Sequence, residues 1–253
     1  MKKNFRSMRR YTIVVLVTAA ACLASGCAKK EVSVEVVSGA ENENKPQISI
    51  QENPAALFLK ITAEYDSDWQ DEHSLISTKT SQIRILDEDH AELQKALDAL
   101  NQKNLDSQST FMADNQADAR QMYQDKPELM ENNGWESELT LTAVRADETV
   151  LCLRQTDYSW LGGAHPNTCI TGITYDTQTG AELSLKDIAN DYDGIYEYVL
   201  ERLAKEHDPN MFFEQYEDAV KAMFYGGDAD YSPVHWSLTN EGVTIWFNQY
   251  DIA

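Results

Sequence analysis

Residues 135–158 read WESELTLTAVRADETVLCLRQTDY. Apolar and polar residues alternate through the centre of Trp135–Arg145, the period of a strand with one buried face. Ala146-Asp-Glu breaks the run as a turn, and Thr149–Tyr158 is a second run of β-formers. The loop Leu161-Gly-Gly-Ala-His-Pro-Asn167 leads into a third run, Thr168–Tyr175, which ends on the turn Asp176-Thr-Gln-Thr-Gly180. Three strands in sequence order with short connections predict an antiparallel meander.

Upstream, Ala55–Tyr65 and Ser81–Leu86 read as strands. Asp87 or Asp89 can cap a helix whose Leu93, Ala96, Leu97 and Leu100 share one face. Asn101 to Lys126 is polar, with Phe111, Met112 and Met122 in a sparse helical pattern. Downstream, Leu185–Ile188 begins a short helix. Ile195, Val199 and Leu203 mark a second, and Phe212 to Phe224 mark a third that ends at Gly226-Gly227. Val234–Phe247 closes as a hairpin turned at Asn240-Glu-Gly242. Strand groups and helix groups are segregated, which predicts an α+β fold. The expected form is an antiparallel meander with helices packed on one side, in two small subdomains, 48–130 and 131–253.

The N-terminus has a different character. Lys2, Lys3, Arg6, Arg9 and Arg10 precede an apolar run from Tyr11 to Ala24, then Ser25-Gly26-Cys27. A basic head, an apolar stretch and small residues before a cysteine predict a lipoprotein signal over 1–26, with Cys27 as the lipidated residue. Acyl chains on Cys27 would anchor the protein to the outer side of the cell membrane. Residues 27–47 are rich in Lys, Glu, Ser and Asn and read as a flexible tether.

The chain carries 21 Lys+Arg and 42 Asp+Glu, a formal net charge of −21. Loss of residues 1–26, which hold five basic residues and no acidic one, takes this to −26. Such a field opposes nucleic acid and phosphate ligands and attracts a basic partner. Four cysteines are present, and Cys152 and Cys169 are the pair within the folded region. They flank the 161–167 loop on two predicted strands, so a cross-strand disulfide is one possibility in an oxidising compartment.

Motifs for chemistry are sparse. His73, His90, His165, His207 and His235 are scattered, with no HExxH or CxxC, so no metal or other cofactor is expected. There is no GxSxG elbow, Ser-x-x-Lys pair or P-loop. The reading is therefore non-enzymatic. The segment Tyr158-Ser-Trp-Leu-Gly-Gly-Ala-His-Pro-Asn167 stands out instead. Gly162-Gly163 allows positive φ, Pro166 holds His165 extended, and Tyr158 and Trp160 place amphipathic rings at the loop mouth. The segment fits a tight turn with packed aromatics, a surface read by a partner, or a site using His165 as acid or base.

Gly162-Gly-Ala-His-Pro-Asn167, followed by Tyr175-Asp-Thr-Gln-Thr-Gly-Ala-Glu-Leu-Ser-Leu-Lys-Asp-Ile188, resembles the signature of a bacterial extracytoplasmic domain. That domain is shared by the lysozyme-binding anti-sigma-V factor and the N-terminal region of a peptidoglycan deacetylase. The closing stretch Trp236–Ala253 fits the same pattern. The likeness is specific over about 135–253 and looser over 48–130. It implies an α+β fold and a non-catalytic binding module whose ligand is a basic protein such as lysozyme, or a peptidoglycan component. Tyr158, Trp160, Gly162, Gly163, His165, Pro166 and Asn167 are then the expected contacts, with a terminal strand around Gln249 and Tyr250. The alternative is a cell-wall-modifying enzyme or accessory domain using His165.

Three departures accompany the resemblance. Only ten residues precede the apolar run, so sigma-factor binding is not expected. No catalytic deacetylase domain with metal-binding His and Asp motifs is present. The family continues past the equivalent of Ala253 with a further strand, so the chain reads as truncated there or as a variant lacking that strand.

Overall fold

The computed structural model of the chain describes residues 15–19, 32–36, 56–86, 89–130, 134–206, 211–226 and 233–253, the first two segments as backbone alone. The fold is α+β, as expected. It divides into two compact units: residues 50–182, and residues 1–49 with 183–253.

Residues 50–182 hold a five-stranded sheet in the order β3 (Leu59–Gln70), β4 (His73–Ile85), β5 (Trp135–Ala146), β6 (Val150–Trp160), β7 (Asn167–Asp176). Neighbours are antiparallel except β4 and β5, which run parallel from Ile76↔Trp135 to Thr80↔Leu139. The predicted meander is β5-β6-β7. Sequence reading missed the hairpin of β3 and β4. Its two-residue turn is Asp71-Glu72, at φ 49° and 70°, closed by Gln70↔His73. Tight hairpin turns need positive φ at both central residues and usually advertise it with Asn or Gly; Asp-Glu gives no such signal. The expected boundary at 130/131 falls inside the unit 50–182, where the β4–β5 ladder joins residues from both sides of it.

The crossover between β4 and β5 carries a long helix, α1 (Ala91–Asp125), of 35 residues. The sequence pattern is strongest in its first turns, where Leu93, Leu97 and Leu100 are buried with Ile83, Leu141, Leu151, Leu153 and Tyr175. Further on the inward face is polar: Asn104 and Gln108 are 2% and 4% exposed. A second apolar cluster of Leu75, Ile76, Ala119, Met130 and Trp135 closes the far end. Asp89 is not the cap. The N-cap is His90, whose Nδ1 lies 3.1 Å from Thr177 O; Asp87 falls outside the described residues.

The amides of α1 complete the sheet. Pairing with β5 stops at Thr80, so among the described residues β4 has no strand partner on that side over Ser81–Ile85. Asn101 Oδ1 accepts from Ile83 N (2.9 Å) and Asn101 Nδ2 donates to Ile83 O (2.8 Å). Gln94 Oε1 accepts from Ile85 N (2.8 Å). Asn104 Nδ2 donates to Gln155 Oε1, and Gln108 Nε2 to Ser137 Oγ, both at 3.0 Å. Gln94, Asn101 and Gln108 recur every seven residues, so they fall on one stripe of the helix. Near its other end, Arg120 grips Asp68 of β3 with two bonds of 2.7 and 2.8 Å.

The second unit holds a four-stranded antiparallel sheet in the order β1 (Val15–Ala19), β2 (Val32–Val36), β9 (Val243–Phe247), β8 (His235–Leu238). The expected hairpin is β8–β9. Strand β2 lies in the stretch read as a tether; its Val-Ser-Val-Glu-Val alternation suits a strand, and it pairs with β1 on one side and β9 on the other. Helices α2 (Leu185–Ile188), α3 (Tyr192–Glu206) and α4 (Tyr216–Tyr225) accompany the sheet. Ile195, Val199 and Leu203 pack with Val220, Met223, Phe224, Ile245 and Phe247, as their spacing predicts. Cys27 lies outside the described residues.

Replacing Asn101 by Leu leaves the buried Ile83 N–H and C=O without their partners. The loss of one buried pairing costs about 1–3 kcal/mol. The urea midpoint should fall accordingly with an unchanged slope, whereas Gln102→Leu on the same helix should stay within about 0.5 kcal/mol.

Candidate binding surface

In β5, Trp135, Ser137 and Leu139 point inward and are buried, so Glu136, Glu138 and Thr140 point to the opposite face. Register carries that face across all five strands. One row is Tyr65, Lys79, Glu138, Tyr158 and Thr168; the next is Ser67, Ser77, Glu136 and Trp160. Tyr65 is 75% exposed, and the charged members are half-buried.

These side chains are linked. Lys79 Nζ meets Glu138 Oε2 at 3.0 Å. Tyr158 donates its hydroxyl to Glu136 Oε1 at 2.9 Å. The hydrogen bond to Glu138 holds the Lys79 ammonium above its ordinary pKa, outweighing partial burial, and the nearby Tyr65 adds to this. Desolvation, then the bond to Glu136, raises the Tyr158 phenol. The patch thus offers one ammonium, two carboxylates and three aromatic rings. That composition suits polar and cationic groups of a ligand.

The loop 161–166 borders it. Trp160 Nε1 donates to Gly163 O at 2.9 Å and ties the loop to the end of β6. Gly162 has φ +78°, and an added Cβ would come within 3.0 Å of Trp135 Nε1. Gly163 has open space around it, with His165 O at 3.8 Å from an added Cβ. His165 is exposed; its Nδ1 lies 3.2 Å from Pro166 O, a neighbour's carbonyl and not an orienting carboxylate. Asn167 opens β7 and faces solvent, and Pro166 is partly covered.

The structure therefore brings together Tyr158, Trp160, Gly162, Gly163, His165, Pro166 and Asn167. It does not bring Gln249 and Tyr250 onto a strand. Strand β9 ends at Phe247, and residues 249–251 form a turn in which Tyr250 takes φ +71° and is 63% exposed. These two belong to the other compact unit. The cross-strand disulfide is also not formed. Cys152 stands opposite Thr174 and Cys169 opposite Asp157. Five residues separate the two positions along β6, about 16 Å, and the odd offset puts the side chains on opposite faces. Instead Thr174 Oγ1 donates to Cys152 Sγ at 3.3 Å.

Tyr65, Lys79, Glu136 and Glu138 were not singled out by sequence reading. The outward position of Glu136 and Glu138 is visible in the Trp-Glu-Ser-Glu-Leu alternation. The presence of Tyr65 and Lys79 beside them depends on a parallel pairing that no local pattern announces.

A family model described as "Deacetylase PdaC" matches residues 80–168, about a third of the chain. The match runs from the second half of β4 through α1 to the start of β7, so it includes Glu136, Glu138, Tyr158 and the loop. It also covers the helix, where the sequence likeness is looser. No curated protein matches the chain. Among solved structures, a DUF3298 family protein from Pseudomonas aeruginosa PAO1 is 18% identical, with 78% of this chain and 85% of that one covered and a TM-score of 0.48. A member of the DUF3298 family from Bacteroides fragilis NCTC 9343 is 12% identical, with 80% and 87% covered and a TM-score of 0.54. The chain shares the fold of the latter. The family-model match bears out the deacetylase side of the resemblance drawn from the sequence.

Gly162→Ala should destabilise the protein by about 1 kcal/mol or more, since it meets both a left-handed φ and the Trp135 indole. Gly163→Ala should stay within about 0.5 kcal/mol. Thermal melts distinguish the two. Lys79 and Tyr158 both have raised pKa values in the fold, so their contribution is present below the ordinary values near 10 and is lost above them. Stability should fall as pH rises past about 10, and Tyr158→Phe should flatten that fall.

Proposed function

We propose that the protein is a non-catalytic binding module of the bacterial envelope, lipid-anchored through Cys27 on the extracytoplasmic side. Its ligand is a basic protein such as lysozyme, or a peptidoglycan component. The observation that supports this most is the linked patch of Tyr65, Lys79, Glu138, Glu136, Tyr158 and Trp160 on the open sheet face, beside the 161–167 loop. Rings and carboxylates held in place by their neighbours lose little freedom on binding. The net charge of −21, or −26 after removal of residues 1–26, would steer a cationic partner towards the domain.

The matched family's name is that of a deacetylase, which favours a second reading: an enzyme or accessory domain acting on the cell wall through His165. The geometry gives that reading less. His165 is exposed and contacts a backbone carbonyl, whereas a general acid or base gains its catalytic form from an orienting partner.

Calorimetric titration with a c-type lysozyme, and separately with soluble muropeptides, tests the proposal. Binding to lysozyme should weaken steeply between low and physiological salt, because exposed charges are screened within about 8–10 Å. Glu136→Lys together with Glu138→Lys should weaken it about ten-fold or more. Binding to neither ligand at low salt removes the proposal. Turnover of acetylated glycan that His165→Ala abolishes would establish the enzyme instead. Cys27→Ser should shift the protein from the membrane fraction to the soluble one.

A further inference from the structure

The second unit contains a corner of tyrosine rings with a cation in it. Lys186 of α2 places its ammonium 4.9 Å from the Tyr192 ring centre and 5.8 Å from that of Tyr225. Those two rings stand at 88°, with centroids 5.8 Å apart. Tyr196 meets Tyr225 edge-on at 5.1 Å and 78°. The corner is held from behind. Tyr192 donates its hydroxyl to Phe224 O, and Tyr225 donates its own to Asp193 Oδ1 at 2.7 Å. Tyr225 is nevertheless 41% exposed, so one wall faces solvent.

Perpendicular aromatic faces with a carboxylate at the rim attract organic cations, because each ring presents negative charge on its face. The occupant here is the protein's own. Lys186 reaches the corner on a flexible four-carbon stem and is exposed. Among the described residues no carboxylate forms an ion pair with it. Rings fixed by hydrogen bonds, and a cation that among the described residues meets those rings and no carboxylate, are the parts of a replaceable site. We propose that Tyr192, Tyr196, Tyr225 and Asp193 form a binding site for the alkylammonium group of a ligand, with Lys186 as a built-in competitor that fills it in the free protein. The ligand group is a lysine side chain of a basic partner or a quaternary ammonium headgroup; both present the same chemistry to the rings. The site lies outside the open sheet face and does not depend on the function proposed for it.

The test uses the full chain, titrated by calorimetry or NMR with cadaverine and with choline chloride, against sodium chloride at matched ionic strength. Lys186→Ser empties the corner and should tighten binding of at least one of the two organic cations about three- to five-fold over the unsubstituted protein. Tyr225→Leu placed in the Lys186→Ser background should remove the gain. Asp193→Asn in the same background should reduce it and serves as the second variant if the leucine protein is not folded by circular dichroism. Preference for cadaverine points to a lysine side chain, and preference for choline to a headgroup; either supports the site. The proposal is overturned if Lys186→Ser binds both cations no better than the unsubstituted protein, or if the gain survives both further substitutions.

Discussion

A helix spends its backbone hydrogen bonds on itself, so it cannot extend a β-ladder. In this protein α1 does so with side chains. Asn101 offers a donor and an acceptor on one planar amide, as a strand residue would, and closes both backbone groups of Ile83. Gln94 takes the N–H of Ile85. Without them the upper part of β4 would bury an unpaired edge, which carries a high cost. With them, the β3–β4 hairpin is joined to the meander by only a short parallel ladder and still belongs to one sheet. The polar inner stripe of the helix is the consequence.

That arrangement also decides which face of the sheet is open. Because α1 covers the side of Trp135, Ser137 and Leu139, the alternate residues are left facing outward. The parallel ladder then sets Lys79 beside Glu138, and the meander sets Tyr158 on the other side of Glu138, within reach of Glu136. The aromatic and charged side chains of the patch come from four strands, and their mutual bonds follow from register. The loop at 161–166 adds an edge whose shape depends on Gly162 passing over Trp135. A similar economy serves the 176–180 turn. Gly180, at φ +67°, brings its backbone so close to α1 that an added Cβ would lie 2.4 Å from Glu92 O. Asp176 Oδ1 closes the same turn by accepting from the N–H groups of Gln178 and Thr179.

Burial acts on the helix side of the sheet as well. A groove of about 500 Å³ runs between α1 and β6–β7, lined in part by Leu100, Lys103, Gln155, Ile173 and Tyr175. Tyr175 forms part of its floor, and desolvation, helped by Glu182, pushes its phenol up to about 12. In the other unit, His235 stacks on Trp246 and sits 3.8 Å from Asp251. Burial lowers the imidazole and raises the carboxyl, so both are driven towards their neutral forms. Asp251 also accepts from Asn248 N and so closes the turn that displays Tyr250.

Local pattern was enough for elements whose inner face is apolar. Strands β5, β6 and β7, the β8–β9 hairpin, and the Ile195-Val199-Leu203 face were all legible, because each residue's environment repeats with the period of its own element. The segment 158–167 was legible as a candidate for a similar reason: glycine, proline and exposed aromatics carry their conformational meaning locally. The rest was not. A helix that faces a strand edge with amides has no apolar period over Asn101–Gln108, and a turn of Asp71-Glu72 does not resemble a hairpin turn. The separation of Cys152 from Cys169 and the meeting of Tyr65, Lys79, Glu138 and Tyr158 rest on strand register, which is a relation between distant segments. By itself the sequence determined the α+β class, most elements, the charge and the loop. Tertiary structure decided the partners, because a side chain's neighbours across a sheet are chosen by which edge pairs with which, and no residue encodes that alone.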